Sequence, residues 1–465
     1  MRPAEQWRED EMKASGEDNR TLVVGLGATG LSVARFLVSR GNEVLVIDSR
    51  AHPPGLEELE RAQPELPIIL ESLDARWLDG VSQVVLSPGL GLDTPIAAEA
   101  ERSGIPVISD IELFAQAANA PVIGVTGSNG KSTVVTLLER MLSSTGLQVA
   151  AGGNLGPPAL ELLDVPAEAY ILELSSFQLE TTESLRPIGA AVLNVSPDHL
   201  DRHGSFERYA AVKARLAQAA EAVVFNWDDA AVREMGCAHP RAIPFSVREP
   251  LGAGYSSVVH QGERWLCRDG VPVIRVAELR LRGLHNEANA LAAMGLADLV
   301  TDRLAAPRRE ARLDALREFP GLPHRCQWVA DEAGVLFIND SKGTNVGATV
   351  AALEGLAGPF VLIVGGRSKG ADFGPLVEAA RDKLVGAVVI GEAAEALHGA
   401  LSAITPIQGA ADMREAVARA AGLAHAADAR PVTVLLSPAC ASLDMFADYR
   451  ERGEVFIAAV KERQQ

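Results

Sequence analysis

Between an apolar run, Pro121-Val-Ile-Gly-Val125, and a helix-forming segment, Val134-Val-Thr-Leu-Leu138, the chain reads Thr126-Gly-Ser-Asn-Gly-Lys-Ser-Thr133. Residues of these types in this order make a phosphate-binding loop. Gly127 and Gly130 let the backbone turn its N–H groups, those of Ser128 and Asn129 included, onto an anion. Lys131 can reach terminal phosphates, Ser132 can hold a magnesium ion, and the helix opened by Lys131-Ser-Thr133 presents its positive end to the same charge. The strict G-x-x-x-x-G-K-[ST] spacing is missed, because position 125 is valine and the glycines stand at 124, 127 and 130.

Further groups with chemistry end other apolar runs. Tyr170-Ile-Leu-Glu173 ends in a carboxylate, and Ala190-Ala-Val-Leu-Asn-Val195 leads into Ser196-Pro-Asp-His199, so Glu173, Asp198 and His199 stand where magnesium ligands are expected beside a phosphate loop. His199 and His203 are four apart, the spacing of a zinc pair on a helix, but Pro197 and Gly204 leave little helix and no glutamate follows His199. Arg325, Lys342 and Lys369 each follow a turn or a strand end, where a basic side chain can clamp phosphate or carboxylate. Lys213, within Tyr209-Ala-Ala-Val-Lys-Ala-Arg215, reads by position as one solvated face of a helix, and Cys440 reads as buried packing rather than a nucleophile.

A second nucleotide signature precedes the first. Thr21-Leu-Val-Val24, Gly25-Leu-Gly-Ala-Thr-Gly30, a helix over Leu31 to Arg40, and Glu43-Val-Leu-Val-Ile47 ending at Asp48 compose the complete G-x-G-x-x-G fingerprint of a βαβ unit. Taken alone it predicts NAD and a dehydrogenase. The same turn serves any nucleotide diphosphate, with Asp48 accepting hydrogen bonds from a ribose or a base. Gln83-Val-Val-Leu86 then runs into Ser87-Pro-Gly89, another tight turn at a strand's carboxyl end.

The elements that must position these groups alternate strand and helix, which predicts an α/β protein with parallel sheets. At ~150 residues per domain, the chain's 465 residues suggest three domains, and an apolar content of 48% supplies their cores. The boundaries expected are a polar, disordered tail over 1–20 with Met12 as an alternative start, then 21–109, 110–321 and 322–465. The first is Rossmann-like, the second a P-loop ATPase-like parallel sheet, and the third another Rossmann-like α/β unit. A net charge of −18 argues against nucleic acid or an anionic membrane as partner. Four scattered cysteines suggest neither a disulfide framework nor a zinc site, which fits a reducing cytoplasm. No apolar run approaches the ~18 residues of a membrane span, and the amino terminus has no signal-peptide core, so membrane insertion is not expected.

Taken together, Thr126-Gly-Ser-Asn-Gly-Lys-Ser132, Glu173-Leu-Ser-Ser-Phe-Gln178, Asn194-Val-Ser-Pro-Asp-His199, His285-Asn-Glu-Ala-Asn289, Leu322-Pro-His-Arg325, Asn339-Asp-Ser-Lys342 and Ser437-Pro-Ala-Cys-Ala-Ser-Leu-Asp444 resemble the Mur ligases, over about Val23 to Phe456. The resemblance implies a cytoplasmic, ATP- and magnesium-dependent step of peptidoglycan synthesis. The partners implied are UDP-N-acetylmuramoyl-L-alanine and D-glutamate, joined by an enzyme expected to be a monomer. By the same resemblance, Lys131, Glu173, His199 and Lys213 are catalytic. Ser132 and Glu173 would hold one magnesium, and His199 with a carbamylated Lys213 another. Gly127, Ser128, Asn129, Gly130, Lys131, Ser132, Thr133, Asn289, Arg325 and Asp340 would contact ATP. Ala28, Thr29, Asp48, Ser49, Arg50, Ser87, Gly89, Asn154 and His199 would contact the UDP-sugar, so the first fingerprint would hold UDP instead of NAD. Lys342, Thr344, Lys369, Ser442, Leu443 and Tyr449 would form the amino-acid pocket, with tyrosine at 449 where the family pattern has phenylalanine. Sister ligases that add other amino acids, and a nucleotide switch that performs no chemistry, remain alternatives at this point.

Overall fold

The computed structural model describes residues 20–463 except 282, 307, 357 and 369, so residues 1–19 of the expected tail and Lys369 lie outside the described residues, while Arg20 already belongs to the first strand. Three sheets follow one another along the chain. The first contains β1 (Arg20–Val24), β2 (Glu43–Ile47), β3 (Ile68–Ile69), β4 (Val81–Leu86) and β5 (Val107–Ile108), in the order β3-β2-β1-β4-β5 and parallel throughout. Strand order reverses at β1, so the turn after β1 and the turn after β4 face each other across a crevice, the usual ligand position in an open α/β sheet. Gly30 is required there, because a Cβ would run into the carbonyl of Gly25.

The second sheet has nine strands: β6 (Val122–Thr126), β7 (Val149–Gly153), β8 (Ala169–Glu173), β9 (Gly189–Val192), β10 (Val223–Asn226), β11 (Ala242–Ser246), β12 (Tyr255–His260), β13 (Glu263–Arg268) and β14 (Val271–Arg275). Their order is β14-β13-β12-β11-β10-β9-β6-β8-β7, parallel except for the antiparallel β12-β13-β14 edge. β6 lies between β8 and β9, which explains why Glu173 and Asn194 come to opposite sides of the phosphate loop. Val134, Leu137, Leu138 and Met141 bury one face of the helix Lys131–Ser143, which packs with the helix Leu284–Arg303 in one core.

The third sheet has six strands, β15 (Gln327–Glu332), β16 (Val335–Asn339), β17 (Phe360–Gly365), β18 (Leu384–Ile390), β19 (Ile407–Gly409) and β20 (Val432–Leu436), in the order β15-β16-β20-β17-β18-β19. Only β15 is antiparallel to its neighbour.

Two local expectations need correction. The run Ala190–Val195 leaves the sheet after Val192, because the backbone N–H of Val195 turns to the Asp229 carboxylate (2.9 Å) and that of Ser196 to the Ser128 hydroxyl (3.0 Å). Lys213 is not on a solvated face: it is 1% exposed, turned inward from the helix Phe206–Ala219. Cys440 is buried as expected, and burial pushes its thiol up to about 12.

Candidate active site

The phosphate loop opens at the carboxyl end of β6. Gly130 starts the helix at φ +85, where its missing Cβ leaves room for the Asn289 side chain. Asn194 braces the loop from β9, accepting from the Asn129 N–H (2.8 Å) and donating to the Asn129 carbonyl (3.1 Å). The hydroxyl of Ser128 meets that of Tyr209 at 3.0 Å and donates to the Ser196 carbonyl at 3.1 Å. Lys131 folds over its own loop, donating to the carbonyls of Gly127 (2.8 Å) and Ser128 (3.0 Å).

Lys213 reaches the same Gly127 carbonyl, at 3.1 Å, with the ring of Tyr209 4.6 Å from its nitrogen. Burial, and then the nearby charge of Lys131, pull its ammonium well below the ordinary lysine range. An amine held neutral in this way can attack carbon dioxide, whereas an ammonium cannot. Glu173 is 2% exposed; one of its oxygens accepts from Asn154 Nδ2 (2.8 Å) and Oε2 has no hydrogen-bond partner. A buried carboxylate oxygen without a hydrogen-bond partner, at the end of the strand next to the one that carries Ser132, supplies a hard donor of the kind magnesium takes. No group of three or more His, Cys, Asp or Glu that could hold a metal occurs among the described residues.

Both rings of the zinc-type pair lie against Phe177, with centroids 4.9 Å away for His199 and 5.5 Å for His203, and their nitrogens have different partners. His203 is buried, with Nε2 3.0 Å from the Ser176 hydroxyl and Nδ1 3.2 Å from Glu180. His199 packs edge-on against the Phe177 ring. His199 has φ 53, which turns the chain out of β9 into its short helix.

Two clefts lie near these residues. One, of about 340 Å³, runs between the second and third sheets and is lined by Asn129, Gly130 and Thr133 from the loop, Asn289 from the long helix, and Arg325, Asp340 and Lys342 from the third unit. Arg325 reaches across it to donate to the Ser132 hydroxyl at 2.7 Å. Asp340 accepts from Ser437 (2.7 Å) and from the Cys326 N–H (3.1 Å), while burial pushes its carboxyl up to about 6. The other cleft, of about 470 Å³, is lined by Ala28 and Thr29 after the glycine turn, Asp48, Ser49 and Arg50 after β2, Ser87 and Gly89 after β4, and Asn154 after β7. Asp48 is more enclosed than a ribose contact requires. Both its oxygens are engaged, by the Leu26 N–H (2.7 Å) and by Arg50 (2.7 and 2.8 Å), so it holds Arg50 at the rim. Asn154 lines the second cleft and donates to the carboxylate of Glu173, which ends β8 beside β6 and its phosphate loop.

On the third unit, the Lys342 ammonium stands 3.9 Å over the ring of Tyr449, and burial followed by the charge of Arg325 lowers it to about 8. Thr344 donates its N–H to the Lys342 carbonyl (2.8 Å), Ser442 is buried and Leu443 is exposed. Arg452, 1% exposed, donates to Ser341 and to the Cys440 carbonyl (3.1 Å), tying together the loops that carry Lys342 and Ser442.

Compared with known proteins, residues 19–109 match the Mur ligase MurD-like N-terminal domain, 125–297 the Mur ligase middle domain, and 324–440 the Mur ligase glutamate ligase domain. The chain belongs to the Mur ligase family. A UDP-N-acetylmuramoylalanine--D-glutamate ligase of Nitrosococcus oceani is 48% identical over 445 residues, 95% of this chain and 96% of that protein. The enzyme of the same name from Methylococcus capsulatus is 46% identical over 443 residues, 95% of each chain. The fold is shared with the UDP-N-acetylmuramate-alanine ligase MurC of Thermotoga maritima, at a TM-score of 0.60 and 18% identity, covering 96% of this chain and all of that one.

Some residues of this Mur ligase site carry no signal in their spacing. Asn194 and Tyr209 brace the phosphate loop, Gln178 lines the second cleft, and Arg452 ties the third unit's loops. Asn194 could have been found as the polar end of an apolar run beside the loop. Arg452 could not, since a lone arginine in a charged helix looks solvated.

Proposed function

We propose that this Mur ligase joins the amine of D-glutamate to the carboxylate of UDP-N-acetylmuramoyl-L-alanine, with hydrolysis of ATP to ADP and phosphate, in peptidoglycan precursor synthesis. A carboxylate is a poor electrophile. Its oxygen first attacks the terminal phosphorus of ATP, which releases ADP and leaves an acyl phosphate. The amine then attacks the acyl carbon, a proton is lost, and phosphate departs through a tetrahedral intermediate. The observation that carries this reading is that both clefts are tied to the phosphate loop: Asn154 of one donates to Glu173, which ends β8 beside β6, and Arg325 of the other donates to Ser132 of the loop. In this reading a substrate carboxylate held in one cleft faces a nucleotide phosphate held in the other.

In this reading the chain divides at 21–109, 110–321 and 322–465. The first unit holds the UDP-sugar, the loop and Asn289 the nucleotide, and Lys342, Thr344, Lys369, Ser442, Leu443 and Tyr449 the amino acid. Lys131 draws charge off the transferring phosphoryl group. Ser132 and Glu173 would hold one magnesium, and His199 with carbamylated Lys213 a second; magnesium there supplies charge neutralisation. The chain acts as a monomer in the cytoplasm in this reading; among the described residues no helix is long and apolar enough to cross a membrane.

Phosphate release measured across a panel of UDP-sugar acceptors and amino acids tests the assignment. Release should require UDP-N-acetylmuramoyl-L-alanine and D-glutamate together. Equal turnover with L-glutamate or a diamino acid would refute it.

A further inference from the structure

The turn from Ser196 to Gly204 is tied to three separate parts of the molecule. Ser196 exchanges two hydrogen bonds with Ser128 of the phosphate loop, its N–H donating to Oγ at 3.0 Å and its carbonyl accepting at 3.1 Å. Arg202 donates to the carbonyl of Pro88 (2.7 Å), inside the Ser87-Pro-Gly89 turn of the first unit, while it also binds Glu180 (3.0 Å) and lies 4.0 Å over the Phe177 ring. From the third unit, Asn345 Nδ2 donates to Asp198 Oδ2 at 3.0 Å. The other oxygen of Asp198 accepts the His199 N–H at 3.0 Å.

Asn345 does two things at once. Its Oδ1 accepts from the Ala348 N–H (2.8 Å) and caps the helix Val346–Gly355, which leaves Nδ2 as the group that faces Asp198. The approach is close. A Cβ at Gly347, in the first turn of that helix, would lie 2.8 Å from the Ser196 hydroxyl oxygen and 3.2 Å from its Cβ, nearer than two such atoms can settle. The third unit thus docks its helix end directly on the backbone that aims His199.

We infer that Asn345 is a positioning residue of the ligase reaction: by bonding Asp198 when the third unit docks, it fixes the Ser196–His199 turn and so couples docking to the placement of His199. The inference rests on the reading of His199 as a site residue. It is independent of which amino acid is the acceptor. An undocked third unit leaves Asp198 without that donor, so the turn is set only when the amino-acid pocket is over the phosphate loop, and the acyl phosphate is not made in an open cleft that water can enter.

The test uses the full chain with Asn345→Ser and Asn345→Asp. Serine and aspartate both remain good helix caps, so the helix is retained. Serine is too short to reach Asp198, and aspartate opposes it with like charge. Both variants should lose roughly tenfold or more in kcat, the scale of a hydrogen bond to a charged group, with melting temperature and UDP-sugar affinity unchanged. Combining Asn345→Asp with Asp198→Asn reverses donor and acceptor and should recover most of the Asn345→Asp loss. Labels on the helices Lys131–Ser143 and Val346–Gly355 should report a wider distance in fully liganded Asn345→Asp than in the native enzyme. Native kcat in both single variants, or a double variant no faster than Asn345→Asp, overturns the inference. A changed amino-acid preference with this distance response intact would instead strike the D-glutamate assignment.

Discussion

Lys213 concentrates the chemistry that is hardest to see in a sequence. It is an encoded cation, yet it sits buried against Lys131 and the Gly127 carbonyl, and both burial and its like-charged neighbour favour the neutral amine. Lys213→Ala should be nearly inactive, and acetate should restore part of the rate by filling the place of a carbamate. A mass measurement finding unmodified lysine in fully active enzyme would sink that account. Lys342 makes a separate prediction at this scale. Burial lowers its ammonium to about 8. Below that pH it is charged and can hold a carboxylate; above it the charge is lost, so KM for D-glutamate should climb as pH rises through 8 to 9. Lys342→Arg keeps its charge over that range and should flatten the climb, even if its geometry raises KM throughout. An identical climb in the arginine variant would assign the titration elsewhere.

Among the elements, the strand–loop–helix of residues 122–143 shows how a local sequence is matched to a tertiary demand. Gly130 is at φ +85, and the space where its Cβ would be belongs to Asn289, which comes from a helix more than a hundred and fifty residues later. Gly130→Ala therefore meets backbone strain and a collision together, and should destabilise the protein by about 1–3 kcal/mol while turning the loop amides off the phosphates. Urea unfolding and ATP binding measure the two effects separately. Unchanged ATP affinity would show that the loop tolerates the shift. The element's existence was legible from the sequence: β6 and its helix fall where apolar runs and the Gly-rich turn put them. Its bracing was not. Asn194, Tyr209 and Ser196 reach the loop only because β9 lies beside β6, a neighbour relation that no local pattern contains.

At the scale of the whole molecule, the third unit is docked on the second through Arg325 to Ser132, Asn345 to Asp198, and Arg248 facing Glu354 at 3.8 Å. These polar contacts border a cleft, so they can open and reform. ATP together with the UDP-sugar should shift the enzyme towards this docked form, seen as a smaller radius of gyration in solution scattering than for the free enzyme. Residues 319–323, Phe-Pro-Gly-Leu-Pro, with Gly321 at φ +85, are the segment expected to bend. The same radius with and without ligands would mean that the site is already assembled in the free protein.

The sequence by itself determined the phosphate loop, the glycine turn of the first unit, the order of strands and helices, and the family, because each depends on residues close together in the chain or on motifs read whole. Tertiary structure alone decided which of those pieces touch. Lys213 looked solvated by helix position, but its helix turns that face under the loop, where burial favours the neutral amine. Asp48 lines the second cleft and also anchors Arg50, a contact that no local pattern announces. Glu173 is tied to Asn154 of the second cleft, next to the strand that carries the phosphate loop, only because β8 lies between β6 and β7. Strand order is fixed by burial of whole faces across the sheet, a long-range sum of many apolar contacts, and it is invisible at the spacing of any single motif.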